Sequence, residues 1–503
     1  MWRAAVVALA VAVLAGCSAS TPAAPGRTSS SSAPHAAPDP GPPTSNAGPS
    51  AAPQAWRIPA GRTGGIEGFA DRTSVLAGQP VRLFVSTTSP TFRVLAFRMG
   101  WYGGELGRLT WTSAAVSGHR QPGAVLVAAG TRTVAAPWEP SLSVSTAGWA
   151  PGNYLLRLDG ARGGERYVPL SVRTPSARGR VVLVSPVTTW QAYNLWGCCD
   201  LYQNGRADYA KRSYAVSFDR PYLAEDGAGE FLDRELPVLA QAEQLGLPLD
   251  YVTDIDIADV PDLFAGARAV ISMGHDEYWS PGMRAAVTAA RDAGTNLAFL
   301  GANAVYRRIR FASTAWGPDR LEINYKNEFL DPLLGKDNAQ VTANWPSSPD
   351  PDPESSLLGA QYGCRLHGPN EPGVVADPSN WLFAGTHVHA VEQLPGLVGY
   401  EVDALQSRYT VPQHMQVLLH SPTHTCPGNT PPYADTTYYV AASGAGVFDA
   451  GTMDWACAAG DACSPSVPAL TATVVRAATD NLLRAFALGP AGRTPRSHLS
   501  GGA

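Results

Sequence analysis

Several catalytic signatures are missing from this chain. It holds no G-x-S-x-G and no H-E-x-x-H, which removes the serine-hydrolase elbow and the helical zinc pair of a metalloprotease. It holds no C-x-x-C, the usual thiolate zinc pattern. Basic residues do not outnumber acidic ones: 37 Lys and Arg against 42 Asp and Glu give a formal charge of −5, so nucleic acid is not an expected partner. After the N-terminal segment no apolar stretch is long enough to span a bilayer. Residues 58–173 lack any helical period of useful length.

What is present begins with an export signal over residues 1–17. Arg3 supplies positive charge, residues 4–15 are apolar, and Leu14-Ala15-Gly16-Cys17 resembles a bacterial lipobox. That resemblance implies lipidation of Cys17 and tethering to the outer face of the cytoplasmic membrane. Residues 18–56 are Ser, Pro, Ala and Gly with almost no large apolar side chain, and are expected to be a flexible spacer. Residues 57–174 read as an all-β, Ig-like sandwich, because short alternating runs such as 81–87 and 93–98 are separated by turn signals. Trp101 and Tyr102 lie between two strands, either as a plug at a domain interface or as a loop that stacks on sugar.

From residue 179 to 488 the pattern alternates β and α, which predicts a doubly wound parallel sheet. Residues 489–503 read as a loose tail. The organising unit is 267–311. Apolar residues 269–273 predict a buried strand, Ser280 and Pro281 an N-cap and first helical position, and Gly294 the helix end. Residues 297–300 predict the next strand, followed by a tight turn and another helix. Ligands of such sheets bind beyond the carboxyl ends of the strands. His275, Asp276, Glu277 and Tyr278 lie at one such end, and Asn303 at the next. The turn Gly301-Ala302-Asn303-Ala304 carries no Ser or Cys, so covalent catalysis from it is not expected.

A metal site fits these residues better. Carboxylate and phenolate oxygens suit a hard cation such as ferric iron, and a bound cation removes the need for a side-chain nucleophile. Glu277 is the leading candidate ligand. His275 is a ligand, base or electrophile. A rival cluster is His387-Val388-His389, an H-x-H expected to place two imidazoles on one strand face as a zinc pair. The cysteines Cys198, Cys199, Cys364, Cys426, Cys457 and Cys463 form an even set in an exported chain and suggest up to three disulfides. Cys457 and Cys463 make a plausible local pair, whereas adjacent Cys198 and Cys199 are expected to seek distant partners.

Five segments carry a family resemblance: TTWQAYN (188–194), SYAVSFDRPY (213–222), GHDEYW (274–279), GANAVYRRIRF (301–311) and GAGVFDAGTMDWA (444–456). With GFADRTSVLAGQPVRLFVST (68–87) and FRMGWYGG (97–104), the chain resembles the N,N-dimethylformamidase large (beta) subunit family. The resemblance implies a glutamine-amidotransferase-like α/β fold and, in the amidase, mononuclear iron held by two tyrosines and a glutamate. Glu277 matches the glutamate and Tyr193 one tyrosine. Tyr214 is taken as the second, ahead of Tyr209 and Tyr222. Iron is the expected cofactor and zinc the lesser one.

The leading expectation is therefore a surface-anchored, metal-dependent hydrolase of a C–N amide bond. Tyr193, Tyr214 and Glu277 hold the metal, His275 and Asp276 assist proton transfer, and Asn303 orients a small amide or wall-derived substrate. The alternative is a non-catalytic lipoprotein that binds wall glycan or peptide in the same cleft.

Overall fold

The computed structural model describes residues 55–427, 432–460 and 462–494. The signal segment, the spacer and Cys17 lie outside the described residues. The chain beyond Ser50 forms one compact unit, and strands outweigh helices in it.

Two sheets open the described chain. Ile66–Ala70, Pro80–Thr87 and Leu142–Ser145 form the first. Ser74–Leu76, Glu165–Arg173, Gly152–Gly160, Thr91–Tyr102 and Glu105–Thr112 follow one another across the second. Alternation brings them face to face. Val81, Leu83 and Val85 share one face of their strand and pack with Val94, Leu156, Val168 and Leu170 of the other sheet. The outer face of the second sheet is not left to water. Phe97, Met99, Leu155 and Tyr167 join Leu183, Trp190, Leu239 and Ile271 in a core shared with the rest of the chain. Trp101 belongs to that junction. Its amide donates to Glu243 Oε2 at 3.0 Å, and Arg98 both pairs with Glu243 at 2.7 Å and donates to Tyr102 Oη at 2.9 Å. Trp101 and Tyr102 thus end a strand at this junction and plug it.

The central sheet has seven strands in the order Leu249–Thr253, Val181–Ser185, Ala269–Ser272, Asn296–Phe299, Gly446–Asp449, Tyr433–Val440, Gln416–Pro422. The first five are paired in parallel; Tyr433–Val440 runs against them, and Gln416–Pro422 runs against it in turn. The parallel strands are buried along their whole length, which is why they read as unbroken apolar runs. Helix Pro281–Asp292 returns the chain between two of them. Ser280 Oγ accepts the Met283 amide at 3.2 Å, Pro281 occupies the first turn, and Gly294 turns out at a φ of 101°. Helix Leu236–Gln244 follows a π-turn at Phe231–Glu235, so Pro237 falls in its first turn and does not kink it. Helix Ala469–Ala487 closes the fold.

Four expectations need correction. No helix follows Gly301. The amides of Val305, Arg307 and Ile309 bond instead to the carbonyls of Asp276, Glu277 and Trp279, so a short strand Arg307–Arg308 forms there. Residues 489–494 are docked, since Asn296 binds Gly489 O and the Ala491 amide and Ala491 is buried. Cys198 and Cys199 bond to each other, beside Cys364–Cys426 and Cys457–Cys463. His387 and His389 lie exposed in an irregular loop, not on a strand.

Candidate functional site

Two strand ends are tied together before any functional group is placed. Val181–Ser185 runs into the buried helix Val187–Ala192, which delivers Tyr193. Ala269–Ser272 runs through Gly274 to His275, Asp276 and Glu277. Gly274 has a φ of 73°, and a Cβ there would stand 2.8 Å from Arg234 Cβ, so only glycine allows this turn. Thr189 Oγ1 then accepts the Glu277 amide at 2.9 Å, fixing the carboxylate relative to Tyr193.

Phenols converge on that carboxylate. Tyr193 Oη donates to Glu277 Oε2 at 2.7 Å. Tyr202 Oη lies 3.1 and 3.2 Å from the two Glu277 oxygens and 2.7 Å from Tyr193 Oη, and the two rings stack with centroids 4.5 Å apart. Tyr278 Oη donates to Tyr202 Oη at 2.7 Å, and Lys326 Nζ donates to Tyr278 Oη. Lys326 Nζ also stands over the Tyr202 ring, 3.4 Å from its centroid. Arg307 Nε donates to Glu277 Oε1 at 3.0 Å. On the other side His275 is flanked by three carboxylates, Glu230 at 3.4 Å, Glu401 at 3.5 Å and Glu277 at 3.6 Å, and closes a hydrogen bond with none. Asn303 Nδ2 donates to Glu401 Oε2 at 3.1 Å, while Asn303 Oδ1 is buried without a partner.

Burial opposes charge here, and the neighbours decide the outcome. Burial pushes Glu277 up, yet His275, Arg307 and Lys326 hold its carboxyl well below the ordinary value. Burial works against the His275 imidazolium, but Tyr400, Glu230 and Glu277 raise its pKa well above the ordinary value. Burial lifts the Tyr193 and Tyr202 phenols well above 10, and the Glu277 charge lifts them further. Burial also raises Glu401, with His275 opposing. Burial and the Arg307 charge lower Lys326 well below the usual ammonium value.

The structure brings together Tyr193, His275, Glu277 and Asn303. Tyr214 is elsewhere. Its ring stacks on Tyr325 with centroids 5.0 Å apart, with the Arg212 and Arg132 guanidinium groups over it. Tyr209 is exposed, and Tyr222 packs edge-on against Trp190. Asp276 is engaged away from the phenols, one oxygen taking Ser272 Oγ and the other Trp279 Nε1, both at 2.6 Å. It braces the turn. Tyr202, Arg307, Lys326, Glu230 and Glu401 join without having been singled out from sequence. Arg307 was legible within GANAVYRRIRF. Tyr202 offered one local signal, an Asp two residues earlier whose Oδ1 accepts the amides of Tyr202 and Gln203 at 2.7 and 2.8 Å. Among the described residues no group of three or more His, Cys, Asp or Glu is arranged to hold a metal ion, so His387 and His389 make no zinc site there.

Residues 93–465 match the family described as N,N-dimethylformamidase beta subunit-like, C-terminal, and the chain belongs to it. No curated protein matches the chain. Among solved structures it is similar to a Paenibacillus sp. cycloisomaltooligosaccharide glucanotransferase complexed with cycloisomaltoheptaose, at 10% identity and a TM-score of 0.15. That match covers 48% of this chain and 28% of the other, and at such a score it carries no argument.

Proposed function

We propose that this protein is a dimethylformamidase-like hydrolase that cleaves the C–N bond of a small amide. The observation that carries the reading is the convergence of Tyr193 Oη and Tyr202 Oη, at 2.7 and 3.1 Å, on Oε2 of the buried Glu277 carboxylate. Two phenols and a carboxylate are a hard-oxygen donor set, which suits ferric iron better than zinc. Tyr193, Tyr202 and Glu277 would hold it, and a cation there supplies Lewis-acid polarisation of the amide carbonyl. Metal dependence of the family supports this reading. The parallel strand order around Val181–Ser185 supports a glutamine-amidotransferase-like layer.

The chain's own groups divide the remaining work. Glu401 Oε2, raised by burial and 3.5 Å from His275 Nε2, accepts a proton from the attacking water. His275, held protonated by its carboxylates, donates to the departing nitrogen. Asn303, held by Glu401 and Asp403, presents its free Oδ1 to an N–H or hydroxyl of substrate. The lipobox at Cys17 supports a location on the outer face of the membrane, where the substrate is a small amide or a wall-derived one. Release of amine from a panel of small amides tests the function. The parent chain releases amine from at least one of them, and Glu277→Gln abolishes this while its unfolding midpoint is kept. Equal turnover by the two proteins, or no amine from any amide, overturns the proposal.

A further inference from the structure

The two phenols of the site are joined by one short segment, residues 193–202, and that segment contains Cys198 and Cys199 bonded to each other. Its path is pinned at several points. Trp196 Nε1 donates to Glu67 at 2.8 Å and its ring meets Trp138 edge-on. A Cβ on Gly197 would stand 2.7 Å from both Ala124 Cβ and Val134 Cγ1. Arg220 holds Cys199 O at 2.8 Å, and Asp200 then caps Tyr202. Cys198 has a φ of 143°, a conformation that L side chains rarely adopt. The adjacent-cysteine ring restrains the backbone there. Of the three disulfides among the described residues, only this one has an exposed half-cystine: Cys198 is exposed, whereas Cys364, Cys426 and Cys457 are buried and Cys463 is half-buried.

We propose that Cys198–Cys199 is a thiol–disulfide exchange site for a dithiol, and that its reduction frees the segment that carries Tyr202. Part of this inference, the consequence for Tyr202, rests on the function proposed above. The exchange balances as follows. A thiolate of the dithiol attacks the Cys198 sulfur, the S–S bond breaks, and the Cys199 thiolate leaves and takes up a proton. The second thiol of the dithiol attacks its own partner in the mixed disulfide and releases Cys198 as a thiol. Two electrons and two protons pass to the chain, and the dithiol departs as its disulfide. The co-reactant is a dithiol, and the chain supplies only the disulfide.

The test uses the full chain, titrated with dithiothreitol under native conditions, alkylated and mapped by mass spectrometry. Hydrogen exchange over residues 194–203 is measured in parallel, with and without chelator. Cys198 and Cys199 should alkylate together before Cys364, Cys426, Cys457 or Cys463. Exchange over 194–203 should accelerate about tenfold or more, as expected when a local restraint on opening is lost, and should recover on reoxidation. The double variant Cys198→Ala with Cys199→Ala should match the reduced parent. Reduction of Cys364–Cys426 or Cys457–Cys463 at the same or lower dithiol, or unchanged exchange over 194–203, overturns the inference. Selective reduction with faster exchange, in a protein that holds no metal with or without chelator, sinks the metal reading and leaves this one standing.

Discussion

Two asparagines bracket one strand and behave in opposite ways. Asn296 opens Asn296–Phe299 and is saturated. Its Nδ2 reaches Arg268 O, Phe486 O and Gly489 O, and its Oδ1 accepts the amides of Gly446 and Ala491. Asn303 lies just past the strand's other end, equally buried, and leaves Oδ1 unpartnered beside the unpartnered nitrogens of His275. A buried polar group without a partner costs on the order of 1–3 kcal/mol. At the amino end the fold spends its polar groups on itself, and at the carboxyl end it withholds them.

The contrast breaks most readily at Asn296. Asn296→Ala strips the Gly446 and Ala491 amides and the Gly489 carbonyl of this partner, while Arg268 O and Phe486 O keep backbone amides, and should cost about 3–5 kcal/mol, read from the denaturant midpoint. Asn303→Gly keeps the Asn303 amide bond to Asp403 and suits the φ of 59°, so stability should move by about 1 kcal/mol or less. Amide turnover should fall about 10²-fold, as for removal of one positioned polar group. If the stability cost falls at Asn303 and the activity cost at Asn296, the contrast fails.

Asp403 sharpens it through pH. Burial raises its carboxyl from 3.8 to about 7, with the Asn303 amide opposing. The folded state therefore holds a proton that the unfolded state releases. The stability it contributes is complete below pH 3.8 and is lost as pH rises through about 7. Asp403→Asn, which cannot titrate, should flatten the fall of melting temperature across that window. An unaltered slope would show that Asp403 is not the group responsible. The smallest effect is expected at the Ser280 cap. Ser280→Ala should cost about 1 kcal/mol and leave turnover unchanged, because this cap supports the helix and touches no site group.

Sequence reading reached the elements whose causes are local. Fully buried parallel strands show as apolar runs, and the Ser280-Pro281 start and Gly294 stop of one helix need only nearby atoms. Glu277 and His275 were visible because they follow a strand at the end where ligands bind. The second phenol was not visible. Tyr202 sits in an irregular segment whose path is set by Glu67, Arg220 and the Cys198–Cys199 bond, none of which has a period. Lys326 and Glu401 arrive from far along the chain, placed by pairings such as Ala215–Ser217 with Gly317–Ile323 and Gln361–Arg365 with Glu401–Ala404. The helix expected after Gly301 failed for a related reason, since its amides bond to carbonyls of 276–279, beyond the neighbouring strand Ala269–Ser272. Tyr214 was chosen from a motif, SYAVSFDRPY, whose local job is to hold the strand Ala215–Ser217 against the excursion that delivers Lys326.

The central claim is that Tyr202, not Tyr214, completes the oxygen set with Tyr193 and Glu277. Metal content by plasma mass spectrometry, on the gently purified parent, Tyr202→Phe and Tyr214→Phe, tests it directly. Near-stoichiometric iron is expected in the parent and in Tyr214→Phe, with loss in Tyr202→Phe. Iron retained in Tyr202→Phe, or absent from the parent, would contradict it.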